Sequence, residues 1–427
     1  MSKRTVGIVG AVAVVVGLVV VAVAVARGSG QGDEIGRDGW VRTDHHPTAL
    51  AVSGVDGGPL RVVTRDDGSP AVLARFRDEG FRGDEVILED SAALDEPFVV
   101  AADGPAGTPW VVVGGGDEDG PLVAWSALDP LGDDARGATS RATGVPLPDS
   151  EGVAPAVVTT TEHHQVVAAV DRDGSRILAW SRYADGAWAR SALDLPAGWA
   201  GAGAADLRLA PDGNRFVLGA VGGDPATLLL WASEEVPGGP VTRWEPLTDA
   251  PAGEDVCDLV ALHWTRGTGV LLGWSPLTAD GCVDEVRFAV VGHPDAEPIP
   301  ALALEPGTEA IVRDALALRD GTAIAVGSRE APPHSRTGTD ERTPALWIRP
   351  AGEEWERVAD PHLTTQLDQE ATVVSVDARS DTDSASSLDR LAVVTRPQGI
   401  GPPAGPGAAV WTWTPDAAES ADAGVGD

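Results

Sequence analysis

The strongest constraint on the fold of this chain is a repeat of tryptophan residues. Short apolar runs that end in Trp recur at a spacing of about 50 to 65 residues, or at twice that spacing. These runs are Leu122–Trp125, Ile177–Trp180, Leu228–Trp231, Ala345–Trp347 and Ala409–Trp411. Several are followed by a turn and a second short run with its own Trp, at Trp188, Trp244 and Trp355. A fixed period of this length with all-β character predicts a β-propeller, a ring of four-stranded sheets.

Seven repeat units can be traced, each made of short β-branched runs bounded by Gly, Pro and Asp. The clearest unit has predicted strands at Ala156–Thr160, Gln165–Val170, Ile177–Ser181 and Trp188–Leu193. Predicted strands of the first unit include Leu60–Thr64 and Asp84–Leu88, and the second unit is predicted to end with an outer strand at about Thr143–Leu147. Asp-Gly pairs, which favour tight hairpins, mark several turns. The predicted fold is therefore all-β, a seven-bladed β-propeller. A six-bladed ring is the alternative if the weak fifth unit merges with a neighbour.

The last unit has only three predicted strands, and the spare strand lies at the front of the domain. Gly39–Thr43 is similar to the last strands of other units around Trp188 and Trp355. An N-terminal strand that completes the last sheet would close the ring and remove both free edges. The alternative is that Trp40 packs against a linker.

The N-terminal 26 residues differ from the rest. Lys3 and Arg4 precede an uncharged apolar stretch, 6–26, which is long enough to span a hydrocarbon core of about 30 Å. The small residues Ala24-Val-Ala26 also fit a signal-peptide cleavage site, so anchor and signal peptide both remain open. Either segment places the bulk outside the cytoplasm. The predicted division is a stub (1–5), the anchor or signal segment (6–26), a linker (27–37), the propeller (38–416) and an acidic tail (417–427).

The composition limits the partners. A net charge of −34 repels phosphate and excludes nucleic acid as a partner. Lys3 is the only lysine, and the abundance of Ala, Gly, Val, Pro and Asp is typical of a GC-rich genome, which favours an actinobacterial source. The two cysteines, Cys257 and Cys282, favour a disulfide in an oxidising compartment, with two unrelated buried thiols as the alternative.

One hairpin resembles a known motif. Ser181, Asp185, Gly186 and Trp188 are similar to the Asp-box of sialidase-like (BNR-type) propellers, with one residue too many between Ser and Asp. The resemblance implies a propeller in which this box staples a turn and takes no part in catalysis. No sialidase catalytic residue carries over, because the only tyrosine, Tyr183, falls in that turn.

The chain lacks sequence motifs for metal or cofactor chemistry. The pairs His45-His46 and His163-His164 do not have metal-ligand spacing, and no phosphate-binding loop or nucleophile elbow occurs. Asp171 to Gly174 begins like a calcium loop but lacks the later ligands, so a hairpin turn is predicted there. We therefore predict no metal site and no cofactor.

Carboxylates in the loops that lead into each first strand provide the candidate site. These loops open on one face of a propeller, and their acidic residues would surround one mouth of the channel. The candidates are Glu96, Glu151, Asp206, Asp255, Glu309 and Glu370. The simpler explanation is that an acidic chain places carboxylates in any set of loops.

Long loops between second and third strands open on the same face. They are predicted at Pro276–Gly281, Arg329–Thr343 and Arg396–Gly407. Long structureless loops are often functional. We therefore predict a non-catalytic, extracytoplasmic binding or scaffold protein of the cell envelope. Its N-terminal segment would contact the membrane, and its ligand would be a glycan or an envelope protein. The alternative is a divergent glycan-active hydrolase that uses carboxylates at the channel mouth.

Overall fold

The computed structural model describes residues 40–413, with gaps. The gaps are 46–48, 54–59, 66–68, 75–83, 90–98, 103–109, 116–119, 128–139, 154–156, 172–173, 197–205, 213, 249–252, 266–268, 280, 292–297, 306–309, 318–320, 331–341, 358–370, 379–390 and 398–408. The regular elements of the described residues are thirty β-strands, and the all-β class is confirmed. Within the same residues no helix has the length and apolarity to cross a membrane. The predicted stub, anchor segment, linker and tail lie outside the described residues.

The described strands form seven sheets, numbered 1 to 7. Strand β1 (Trp40–His45) belongs to the last of them. Sheet 1 contains β2 (Ala49–Ser53), β3 (Leu60–Thr64), β4 (Pro70–Ala74) and β5 (Asp84–Leu88). Sheet 2 contains β6 (Val99–Ala102), β7 (Trp110–Gly115) and β8 (Leu122–Ala127). Strand β9 (Ser140–Ala142) then joins sheet 1, and β10 (Val145–Pro146) joins sheet 2.

The remaining sheets follow the chain. Sheet 3 contains β11 (Val157–Thr160), β12 (His164–Val170), β13 (Arg176–Tyr183) and β14 (Ala189–Asp194). Sheet 4 contains β15 (Asp206–Asp212), β16 (Arg215–Gly222), β17 (Thr227–Ser233) and β18 (Trp244–Pro246). Sheet 5 contains β19 (Val256–Thr265), β20 (Gly269–Thr278), β21 (Gly281–Cys282), β22 (Glu285–Val291) and β23 (Leu302–Ala303). Sheet 6 contains β24 (Ile311–Ala317), β25 (Ala323–Glu330), β26 (Arg342–Arg349) and β27 (Glu356–Arg357). Sheet 7 contains β28 (Ala371–Ala378), β29 (Leu391–Pro397) and β30 (Ala409–Trp413).

The first strand of each sheet lies at the centre of the assembly. The first strands of successive sheets contact each other from β2 through β6, β11, β15, β19 and β24 to β28. The following strands of each sheet pair antiparallel and lie progressively farther out. The first strands therefore line a central channel, as in a propeller. We call the face of the ring at which they begin the upper face.

Sheet 7 is completed by the N-terminal strand. Strand β1 pairs antiparallel with β30, with Trp40 opposite Trp413 and His45 opposite Ala409. This pairing confirms the predicted closure, because the first described strand supplies the outer strand of the last sheet. Joining the two ends of a ring in this way covers the edges that would otherwise remain unpaired.

The apolar cores lie between neighbouring sheets. Between sheets 2 and 3, for example, Val111 and Leu122 pack with Val167 and Leu178 in one buried cluster. Clusters of the same kind join sheets 3 and 4, sheets 4 and 5, and sheets 5 and 6. Both faces of these sheets are therefore buried, which explains why their strands are nearly continuous apolar runs.

The tryptophan repeat has a structural cause. Each of four indoles donates its Nε1–H to an acceptor on the preceding sheet, which uses the polar end of an otherwise apolar side chain. The pairs are Trp125 with Glu89 O (2.9 Å), Trp180 with Pro148 O (2.8 Å), Trp244 with Ser191 Oγ (3.1 Å) and Trp355 with Pro300 O (2.9 Å). The repeat thus joins each of these sheets to its neighbour near the outer rim.

One predicted strand was wrong. A single outer strand was expected at Thr143–Leu147, but the chain instead crosses two sheets: β9 pairs in parallel with β5, and β10 pairs with β8. The carboxylate of Glu89 accepts hydrogen bonds from Arg141 and Thr143 at 3.3 and 3.2 Å, which holds the crossing chain against sheet 1. At the crossing, Gly144 lies so close to Trp125 that a Cβ atom would meet the indole at 2.9 Å.

Candidate functional site in the central channel

Three charged residues occupy equivalent places in three successive first strands. Arg208, Asp258 and Arg313 are each the third residue of their strand, in β15, β19 and β24. All three strands begin at the upper face and contact each other in that order. The three residues therefore lie at a similar height in the upper half of the channel.

Arg208 connects three sheets. Its Nε donates to Leu259 O on β19 at 3.4 Å, and its Nη2 donates to Arg313 O on β24 at 3.3 Å. A side chain of sheet 4 that reaches sheet 6 must pass the inner edge of sheet 5. The guanidinium of Arg208 therefore lies at the centre of the ring.

Arg313 is less completely paired. Its Nη1 lies 3.9 Å from the Asp258 carboxylate, beyond hydrogen-bond distance, and the two side chains are 35% and 29% exposed. An ion pair this long and this exposed contributes little to stability. Within the described part of the chain, its buried Nε has no hydrogen-bond partner. The Arg313 side chain is nevertheless 35% exposed and its Nη1 lies beyond hydrogen-bond distance of Asp258, so the exposed part of the guanidinium can donate to an acceptor group of a ligand.

Irregular strand pairing occurs beside two of these residues, Asp258 and Arg313, whereas Arg208 lies in a strand of unbroken register. Strand β19 carries two β-bulges, with Cys257 and Val260 as the extra residues, and β24 carries one, with Arg313 as the extra residue. A bulge interrupts the ladder and re-aims the side chains beside it. Gly327 lies opposite the bulge of β24, where a Cβ atom would collide with the backbone of Ile311 and Val312. The glycine therefore permits the close approach that the bulge requires.

A disulfide borders the same site. Cys257 and Cys282 are bonded, with 5.8 Å between their Cα atoms, and the predicted pairing is confirmed. The bond joins the start of β19 to the short strand β21, which pairs with the end of β20. The segment predicted as a loop at Pro276–Gly281 is therefore wrong in part, since β20 continues to Thr278. Leu277 also donates its N–H to Asp255 O at 3.0 Å, which fixes this hairpin to the loop entering β19.

The other two predicted long loops were placed too widely. Arg329 pairs with Thr343 in the ladder of β25 and β26, and Arg396 pairs with Thr372 in that of β29 and β28. The strands extend farther than their turn-like flanking residues indicated, because ladder pairing adds residues that their own β-propensity does not favour. The central parts of both loops, 331–341 and 398–407, lie outside the described residues.

The predicted carboxylates are only partly located. Glu96, Glu309 and Glu370 lie outside the described residues. Asp206 is the first residue of β15, and Asp255, which is exposed, immediately precedes β19, so both stand at the upper rim near the charged cluster. Glu151 is exposed in the turn that joins sheets 2 and 3.

The sequence analysis missed the three channel residues themselves. Their signal was a charge at the third place of successive first strands that are otherwise largely apolar, in Asp206–Arg208, Val256–Asp258 and Ile311–Arg313. This signal becomes visible only once the strand starts are aligned. A neighbouring carboxylate, Asp314, accepts the N–H of Ala315 through its Oδ1 at 2.9 Å.

His164, the second residue of the pair His163-His164, packs among aromatic rings and next to a main-chain carbonyl. His164 is buried, its Nε2 lies 3.1 Å from Gly239 O, and its ring packs edge-on against Tyr183 and Phe216. Burial lowers the pKa of His164, and the carbonyls of Gly239 and Val236 oppose that shift. Among the described residues, no three His, Cys, Asp or Glu side chains are grouped so that they could hold a metal ion.

Two turn predictions have different outcomes. The carboxylate of Asp171 accepts hydrogen bonds from Ser175 and Arg176, so the predicted hairpin turn is confirmed. The Asp-box resemblance is not confirmed beyond the propeller fold. Asp185 is exposed, and Ser181 Oγ donates to Val241 O of sheet 4 at 2.9 Å, outside the turn.

Comparison with known proteins gives a likeness of fold. No protein-family model matches the chain, and no curated protein has a matching sequence. Among solved structures, a polysaccharide lyase, Uly1, is similar over 87% of this chain and 91% of its own, with a TM-score of 0.51 and 8% identity. The β-propeller domain of the Trilobed protease from Pyrococcus furiosus is similar over 85% of this chain and 94% of its own, with a TM-score of 0.49 and 9% identity. With its radial sheets, central first strands and closing N-terminal strand, the chain has a β-propeller fold.

Proposed function

We propose that this protein is a seven-bladed β-propeller held outside the cytoplasm that binds a polar ligand at the upper mouth of its channel. The observation that carries the proposal is the partly unpaired guanidinium of Arg313, next to Asp258 and level with Arg208. Guanidinium donors suit carboxylate and other anionic groups, and Asp258 suits hydroxyl groups. The expected ligand is therefore an acidic glycan or an acidic fragment of the cell envelope.

Binding is favoured over catalysis by the state of the charged groups. Asp258 faces Arg313, and Oδ1 of Asp314 already accepts a main-chain N–H, so neither resembles the water-separated pair of carboxylates that glycoside hydrolysis uses. The alternative of a glycan-active hydrolase is compatible with the name of the similar polysaccharide lyase, but that likeness extends to the fold alone.

A binding measurement tests the proposal. The full chain in mild detergent would be titrated by calorimetry with a galacturonic acid hexamer, a galactose hexamer and a muramyl peptide. We expect an acidic probe to bind and the neutral hexamer not to bind. Arg313→Met should reduce the affinity by roughly tenfold or more, as the loss of a charged hydrogen bond does.

The control is Arg243→Met, an exposed arginine on the stretch leading to β18 of sheet 4. It removes the same charge from the protein without touching the channel. Thermal unfolding of both variants checks that they are folded. Equal affinities for the wild type and the folded Arg313→Met variant would contradict the proposal. Release of new reducing ends without formation of an unsaturated sugar would replace it with the hydrolase.

Location outside the cytoplasm is part of the same proposal. The apolar stretch 6–26 would tether the protein, or would be removed on secretion. Intact cells treated with a protease should lose the tethered protein, whereas a cytoplasmic marker should survive. Recovery of the protein in the culture medium with a new N-terminus after Ala26 would indicate secretion. Full protection of the protein from the protease in intact cells would contradict both tethering and secretion.

A further inference from the structure

We propose that Arg208 is a positioning residue for the channel site, which holds the main chain of two other sheets so that Arg313 can face the ligand. This inference rests on the proposed function. The two arginines lie at a similar height but differ in their partners. Arg208 donates hydrogen bonds to two protein carbonyls, whereas the Nε of Arg313 has no partner within the described part of the chain.

The acceptors of Arg208 lie at irregular points of both strands. Leu259 immediately precedes Val260, an extra residue of β19, and Arg313 is itself the extra residue of β24. At a bulge the extra residue is left without its ladder partner, so its main-chain groups need other partners. Arg208 supplies such a partner to the carbonyl of Arg313, the extra residue of β24, and with the same rigid, planar group it also donates to Leu259 O, next to the bulge of β19.

The position of the ligand-facing groups follows from these contacts. The Arg313 carbonyl that accepts from Arg208 belongs to the same residue whose guanidinium lies 3.9 Å from Asp258. Leu259, the other acceptor, is the next residue after Asp258. Arg208 therefore holds the backbone directly beside both Asp258 and Arg313.

A ligand-free measurement tests the positioning itself. Hydrogen exchange of the full chain would be followed by mass spectrometry in the wild type, Arg208→Met and the exposed control Arg243→Met. We expect Arg208→Met to speed exchange in peptides that cover 256–262 and 311–317 by roughly tenfold, while peptides of sheet 3 are unchanged. Unchanged exchange in both channel peptides would overturn the inference, whether or not the proposed function holds.

A double-mutant cycle tests the effect on binding, with the galacturonic acid hexamer as probe. If Arg208 acts through Arg313, Arg208→Met should weaken binding in the wild-type background but add little in the Arg313→Met background. Arg208→Lys should restore only part of the affinity, because an ammonium cannot reproduce the planar donors. Additive losses would assign Arg208 a direct ligand contact and overturn the positioning role. Absence of binding by the wild type would contradict the proposed function and leave the exchange result to decide on the positioning.

Discussion

Sheets 3 and 5 are built from the same four-strand plan but differ in regularity. The first strand of sheet 3 pairs with β12 in unbroken register from Val157 to Thr160, whereas that of sheet 5 is interrupted at Cys257 and at Val260. The outer strand β14 pairs along six residues of β13, but β23 pairs with only Glu285 and Val286. In the first strand of sheet 3 the main-chain groups pair regularly with the neighbouring strand. In that of sheet 5 the bulges interrupt this pairing, which leaves polar main-chain groups near the channel without a ladder partner.

The two sheets are also held by different means. Sheet 3 is joined to its neighbours by the hydrogen bonds of Trp180 and Ser181, both buried. Sheet 5 is also joined to its neighbours by hydrogen bonds, but it has in addition a covalent bond at its upper edge, where the ladder of β19 and β20 is interrupted. We infer that sheet 3 is a stable frame and that sheet 5 is an irregular element whose shape the disulfide maintains.

The largest loss of stability is expected from a substitution in sheet 3. Trp180→Ala in sheet 3 should lower the free energy of unfolding by about 3–5 kcal/mol, because it leaves a cavity and an unpaired Pro148 carbonyl. Phe288→Ala in sheet 5, at a residue that is 9% exposed, should cost less. Urea unfolding of both variants measures the two losses in free energy of unfolding. An equal or larger loss for Phe288→Ala would contradict the view that sheet 3 is the more stable frame.

Removal of the disulfide should have the second-largest effect on stability. Replacing Cys257 and Cys282 with serine frees a loop whose ends are 25 residues apart, which should lower the free energy of unfolding by about 3 kcal/mol. The loss should be accompanied by faster hydrogen exchange around β20 and β21 while sheet 3 stays protected. Uniform loss of protection throughout the protein would show that sheet 5 is not a separate unit.

A smaller effect is expected at the bulge of β24. Gly327→Ala places a Cβ against the backbone of Ile311 and Val312, and such overpacking should lower the free energy of unfolding by about 1–3 kcal/mol. Gly238→Ala is the matched control, because a Cβ there meets nothing within 4 Å. Urea unfolding of both variants gives the result, and similar stabilities would mean that the bulge does not depend on Gly327.

The smallest effect should be a pH dependence in sheet 3. Because burial lowers the pKa of His164, the unfolded chain binds a proton at this residue more readily than the folded one. Stability from this residue is therefore complete above the unfolded pKa of about 6.5 and is lost as the pH falls through the lowered folded pKa. His164→Gln should flatten the stability profile below that pH, whereas the exposed His163→Gln should not. Unfolding in urea at several pH values distinguishes the two variants.

Strands could be predicted well wherever local residues decide the pairing. The sequence pattern predicted Leu60–Thr64 and Asp84–Leu88 with the bounds that the structure has, because alternation and flanking turns mark their ends. The crossing of β9 could not be predicted, since it depends on Glu89, which lies far from β9 along the chain.

The channel cluster was missed for a related reason. A period of two residues indicates which face a side chain takes only while the register is unbroken. The bulges at Cys257, Val260 and Arg313 break that register around Asp258 and Arg313, and no residue at these places is typical of a bulge. Arg208 lies in unbroken register, and its role depends on Leu259 and Arg313, which are distant along the chain. The disulfide could be predicted because the chain contains only two cysteines, which leaves a single possible pairing.

The pairing of β1 also sets the side of the ring at which the described chain begins. Strand β30 runs away from the upper face, and β1 runs antiparallel to it, so Trp40 lies at the lower edge of the outer rim and His45 at the upper edge. Any segment that precedes Trp40 therefore leaves the ring from the side opposite the charged cluster. If residues 6–26 are the proposed anchor, the tether pulls the lower face toward the membrane. The upper mouth, with Arg313 and Asp258, then faces away from the membrane, on the side from which the proposed extracellular ligand would approach.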